Sequence, residues 1–111
     1  MKTDYEMILC IVNRGFASTV MDAAVSQGAT GGTVIPGRGT ANPEAEQFFH
    51  ISIEPEKELV MIVVPSALKD AVIKEIYARA GTGTDSKGIV FSLPVEDAVG
   101  LRKADEPEHG E

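Results

Sequence analysis

Apolar positions in the chain fall into short blocks of strand character separated by two helical stripes. Tyr5 to Val12, YEMILCIV, is a compact run rich in strand formers, and Asn13, Arg14 and Gly15 halt it, which predicts a buried strand. Val20, Ala23, Ala24 and Val25 then recur at helical spacing from a candidate cap at Ser18 to Gly28, a glycine suited to a helix end. GTVIP, Gly32 to Pro36, is a second strand that the proline is expected to close. FFHISI and ELVMIVV flank EPEK, so Phe48 to Val64 is expected to form a β-hairpin with its tip near Glu56. Glu54, Glu56 and Glu58 alternate around that turn and are expected to point to solvent.

Pro65 and Ser66 open the clearest helix, with Leu68, Val72, Ile76 and Ala80 along one stripe. Asp70 and Lys74 form a favourable i,i+4 pair on it. GTGTDSKG, Gly81 to Gly88, is a flexible loop leading into the last strand, IVFSLP. Two strand-helix-strand units in one small domain imply an α+β, ferredoxin-like βαββαβ sandwich: one antiparallel sheet with two helices on a single face. Residues 1–101 form this domain, and the polar, acidic stretch from Arg102 to Glu111 is a solvated tail.

Composition narrows the picture. With 111 residues, 43% of them hydrophobic and 5% aromatic, the chain supports one modest core. The strand blocks offer more apolar surface than two short helices can cover, so an oligomer is expected. A net charge of −7 argues against nucleic acid or an anionic membrane as the main partner, because both need clustered cations. Any anion site must be local. The single cysteine, Cys10, lies inside an apolar run and is expected to be a small buried hydrophobe. The run MKTDYEMI carries acids where a signal peptide would carry bases, and no apolar run reaches about 18 residues, so a cytoplasmic protein is expected.

Candidate chemistry is sparse. No serine, histidine and acid set, no HExxH and no paired carboxylates stand out, so the protein is expected not to be an enzyme. His50 alternates with apolar residues and has no histidine or cysteine at a ligand spacing. The unusual stretch is QGATGGTVIPGRGT, Gln27 to Thr40, with five glycines in fourteen residues and one arginine. Local grounds give it two readings. Gly28 can end a helix and Gly31 and Gly32 make a turn; alternatively, bare amides beside Arg38 suit phosphate oxygens.

Taken in order and spacing, GATGGTV, GRGT, IVVP and TGT..KGIVFSLPVEDAV resemble the P-II signal transduction proteins over nearly the whole chain to about Arg102. The resemblance implies a compact homotrimer of ferredoxin-like subunits that binds an adenine nucleotide (ATP, ADP or AMP, with or without magnesium) in clefts between subunits. The nucleotide would be a ligand and not a required cofactor. A protruding loop would carry the signal to a membrane transporter or metabolic enzyme.

Under the same resemblance, Gly37, Arg38, Gly39 and Thr40 lie at the loop base where phosphates are held. Ile11, Thr33 and Val63 line the adenine pocket, Lys87 and Gly88 belong to a loop closing over the phosphates, and Arg102 reaches them from the far strand. The glycine-rich stretch then divides into a turn at Gly28, Gly31 and Gly32 and a phosphate approach at Gly37 and Gly39.

Departures from the family pattern thin the positive charge. Gly100 and Ile89 occupy positions where the family has a second arginine and a loop lysine, and Ala41 replaces a glutamine that helps hold magnesium and 2-oxoglutarate. Lys57 does fall at the family's 2-oxoglutarate lysine. The loop TANPEAEQ, Thr40 to Gln47, is short and lacks the tyrosine that carries uridylylation. Two functions follow: a nonenzymatic nucleotide sensor that regulates a partner, or a trimeric binding or assembly module for another small anion or a metal.

Overall fold

The computed structural model describes residues 2–40 and 56–101. Four strands, β1 (Lys2–Asn13), β2 (Thr33–Arg38), β3 (Glu56–Pro65) and β4 (Ile89–Asp97), form one sheet in the order β2-β3-β1-β4. Every pairing is antiparallel. Helices α1 (Ala17–Ser26) and α2 (Lys69–Ala80) connect β1 to β2 and β3 to β4, the second after a 3-10 turn at Ser66–Leu68. This is the expected ferredoxin-like arrangement, with β1 and β3 central.

Strand alternation decides which side chains are covered. Ile8, Cys10 and Val12 of β1 and Val60, Ile62 and Val64 of β3 are fully buried, packed with Val20, Ala23 and Ala24 of α1 and Val72, Ile76 and Ala80 of α2. Each of the large aliphatic side chains in this set contributes about 1.5–3 kcal/mol by burial. The alanines are the small members that let both helices approach the sheet. Leu68 packs against this core from the 3-10 turn.

The opposite sheet face is apolar, and no helix among the described residues covers it. Met7, Leu9 and Ile11 lie between Val63, Met61 and Leu59 on one side and Leu93, Phe91 and Ile89 on the other. The three from β4 are exposed, as is Ile35 of β2. β1, read from the sequence as buried, is therefore buried on one face only.

Local features differ from expectation where tertiary partners intervene. Ser18 does not cap α1: the helix starts at Ala17, and Phe16 at the cap position makes no side-chain capping bond. The cap comes from β3 instead, where Glu58 Oε1 accepts the backbone N–H groups of Gly15 (3.0 Å) and Ala17 (3.1 Å). A carboxylate there satisfies orphan donors and suits the positive helix end. Glu56 is exposed as expected and pairs there with Arg14, so only Glu58 departs from the solvent-facing expectation; Glu54 lies outside the described residues.

β2 runs through Pro36 to Arg38, because an edge strand can leave the missing donor on its unpaired side. Glu56 lies in β3 opposite Arg38, so the expected turn tip does not sit there; Phe48 to Pro55, His50 included, lies outside the described residues. On α2 the ion pair among the described residues is Glu75–Arg79 (2.7 Å) and not Asp70–Lys74. Gly28 does end α1, at φ +106°.

Glu58→Ala should lower stability by about 1–2 kcal/mol, the scale of a lost helix cap, in urea denaturation; an unchanged midpoint would show the cap to be energetically silent. Burial pushes the Cys10 thiol from its ordinary 9.0 up to about 11. A raised acid group stabilises the fold below its unfolded pKa and loses that contribution as pH rises through the folded one. Relative to Cys10→Ala, the protein should therefore lose on the order of 2–3 kcal/mol between about pH 9 and 11, and parallel stability profiles would exclude this.

Candidate functional site

The C-terminal ends of β1 and β2 and the N-terminal ends of β3 and β4 meet at one end of the sheet. Both glycine-rich segments therefore arrive there: Gly37 to Thr40 at the end of β2, and the loop from Thr82 to Gly88 just before β4.

That second loop is a run of hydrogen-bonded turns. The amides of Thr84 and Lys87 donate to Gly81 O (3.0 Å) and Thr84 O (3.1 Å). Ser86 N donates to Thr84 Oγ1 (3.3 Å), and the Ser86 side chain is buried. Gly88 N donates to Ala80 O at 2.7 Å, and a Cβ at Gly88 would sit 2.1 Å from that same oxygen. Glycine is required at 88 by this close approach, and its amide is already committed. Lys87 holds φ +52°, a left-handed conformation that a side chain adopts at a cost, and is exposed.

One residue joins the loop to the sheet. Asn13 Nδ2 donates to Asp85 O (3.0 Å), Asn13 N donates to Ser86 O (2.8 Å), and Asn13 Oδ1 accepts from Lys57 Nζ (2.7 Å). Lys57 lies between Asn13 on β1 and Gly37 on β2 in register. Sequence reasoning took Asn13 only as a strand stop. Its partners are 44 and 72 residues away, and no local pattern reports such contacts.

The predicted site residues occupy two faces and two edges. Ile11, Thr33 and Val63 lie on the uncovered face, opposite Leu59, Met61 and Met7 respectively. Arg38 is paired with Glu56 on the helix-bearing face at the β2 edge, and Gly39 and Thr40 follow it. Lys87 and Gly88 precede β4 at the other edge. β2 and β4 are three strand spacings apart, about 14 Å. Within one chain, Arg38 and Lys87 are not brought together on one phosphate group. Arg102 lies outside the described residues. Among the described residues, no group of three or more His, Cys, Asp or Glu is placed to hold a metal ion.

The family model of nitrogen regulatory protein P-II matches residues 5–105. The chain belongs to the P-II family. The nitrogen fixation nifHD1 region GlnB-like protein 1 of Methanosarcina barkeri is 30% identical over 98 residues, spanning 87% of this chain and 93% of that protein. The crystal structure of Arabidopsis thaliana PII bound to citrate superposes with a TM-score of 0.68 at 26% identity, covering 96% of this chain and 88% of that one. A DUF3240 family protein from Shewanella baltica shares the fold, with a TM-score of 0.65 at 11% identity over 90% of this chain and 99% of that one.

P-II membership makes this a signal-transduction and regulatory protein. No helix among its described residues is long and apolar enough to cross a membrane.

The backbone strain at Lys87 gives a direct test of why this P-II chain keeps a lysine there. Lys87→Gly should raise stability by about 1 kcal/mol in thermal denaturation by relieving the left-handed conformation. A destabilised variant would mean that the lysine side chain contributes packing or pairing that outweighs the strain.

Proposed function

We propose that the protein is a nonenzymatic, cytoplasmic homotrimer that binds an adenine nucleotide between subunits and signals to a membrane transporter or metabolic enzyme through the segment Thr40 to Gln47, most of which lies outside the described residues. The observation that carries this reading is the split of the candidate anion groups between opposite edges of a sheet whose apolar face is bare. Arg38 stands at the β2 edge and Lys87 at the β4 edge. A ring of copies, each burying its bare face, sets unlike edges of neighbouring chains against one another. A cleft there would receive phosphates from both sides, with Ile11 and Thr33 lining the adenine pocket and Val63 contributing its backbone.

Nucleotide binding needs only to favour one state of the loop after Arg38 to act as a signal, since a ligand shifts an equilibrium by its differential affinity. Glu44 and Glu46 carry like charge and would repel phosphate, so any effect on them is indirect. Magnesium bound with the nucleotide would supply positive charge against its phosphates, in a chain whose own cations there are few.

A second reading, a trimeric module for another small anion, is favoured by the amides of the 82–88 loop. Those of Thr84, Ser86, Lys87 and Gly88 are engaged within the chain and do not form an open cradle. The citrate carried by the Arabidopsis structure makes a polycarboxylate the natural competitor.

Calorimetric titration with ATP, ADP, AMP, cyclic AMP and citrate, with and without magnesium, separates the two. Saturable heat with a nucleotide, weakened by about 1–3 kcal/mol in Arg38→Ala, is expected for the sensor. Heat from citrate alone supports the second reading. A light-scattering mass other than that of three chains would remove the cleft on which the first depends.

A further inference from the structure

All four hydrogen-bonding groups of Asn13 are engaged, two with the 82–88 loop, one with β3 and one with the start of α1. Its N–H and Nδ2 hold the carbonyls of Ser86 and Asp85, its Oδ1 holds the Lys57 ammonium, and its backbone oxygen accepts the Phe16 N–H (3.3 Å) at the entry to α1. The amide orientation follows from chemistry: an ammonium can only donate and a carbonyl can only accept, so oxygen must face Lys57 and nitrogen must face Asp85. Aspartate at this position would keep the acceptor for Lys57 and lose the donor to Asp85.

Among the described residues Lys57 makes no hydrogen bond or ion pair with the 82–88 loop, yet Asn13 links the two directly. On its other side it is in register with Gly37, where β2 leads into the segment after Arg38. Hydrogen bonds thus run from the 82–88 loop through Asn13 to Lys57, whose backbone stands in register with Gly37 of the β2 edge strand. A charge-assisted bond to Oδ1 polarises the amide and strengthens its donation from Nδ2.

We infer that Asn13 is a positioning residue that couples the 82–88 loop to Lys57, so that the two glycine-rich segments at this end of the sheet respond to one another. The coupling stands on the hydrogen bonds alone. Its use in nucleotide signalling rests on the function proposed above. A ligand group that draws the Lys57 ammonium away removes one support of the Asn13 amide and loosens the far loop, and a ligand that reshapes that loop frees the ammonium in turn, as reciprocal coupling requires.

The test uses the full ligand-free chain, so its outcome is independent of whether any nucleotide binds. Amide hydrogen exchange is measured in wild type, Lys57→Met, Asn13→Ala and the double variant. Lys57→Met is expected to speed exchange of the Ser86, Lys87 and Gly88 amides about fivefold, the effect of losing a bond of about 1 kcal/mol, while core amides such as Ile8 and Ile62 stay unchanged.

In the Asn13→Ala background, Lys57→Met should add nothing further. If Asn13→Ala does not fold, Asn13→Leu serves instead, because a side chain of similar size with neither donor nor acceptor breaks the link to both Asp85 and Lys57 and must make the loop insensitive to Lys57→Met. Equal loop exchange in wild type and Lys57→Met, or the same increment in both backgrounds, overturns the coupling. A flat calorimetric response to nucleotides would sink the functional reading and leave this result standing.

Discussion

Everything in this molecule follows from placing both helices on the same face of the sheet. Ile8, Cys10 and Val12 with Val60, Ile62 and Val64 can be buried fully because α1 and α2 lie over them, and the alternation of strand side chains then obliges Met7, Leu9, Ile11, Leu59, Met61 and Val63 to face the other way. Among the described residues no third layer covers that face. Its apolar character is the residue of a fold that closes one core and leaves a second half-core open, which is the condition under which association of copies is favourable.

The same geometry gathers the polar work at one end. Strand termini from all four strands meet there, and each exposed backbone or charged group needs a partner. Glu58 caps α1 from a strand, Glu56 holds Arg14, Asn13 and Lys57 bind one another, and the 82–88 loop satisfies its own amides through successive turns. Arg38 and Lys87, proposed above to meet an anion, are kept apart by the width of the sheet. Thin and divided positive charge fits a chain that carries a net −7 and cannot attract polyanions over distance.

For a regulatory protein of the P-II family, this arrangement has a physical use. Loops that respond to a ligand must have low local stability, whereas the strands from which they spring must not move. The buried β1–β3 pair supplies the frame, and the loop before β4 is tied to it by the two hydrogen bonds that Asn13 makes to Asp85 and Ser86. Hydrogen bonds such as those of Asn13 determine how far a disturbance at one attachment is felt at the other.

Much of this was legible in the chain itself. Apolar periodicity marked both helices and the strand cores, Gly28 marked a helix end, and the ordered glycine motifs pointed to the family, because all of these depend on residues close in sequence. Pro36 misled, since a proline ends a strand only where its missing donor faces a neighbour, and edge position is a property of the assembled sheet. Glu58 read as a solvated acid because its partners, the amides of Gly15 and Ala17, lie 43 and 41 residues away. The placement of Arg38 and Lys87 on opposite edges was likewise invisible, although both were singled out as candidates. Local pattern determined the elements, one core-facing stripe and the chemistry at hand; strand order and register alone decided which of those groups meet, because contacts between distant segments are fixed by the packing of the whole sheet and not by any neighbour in the sequence.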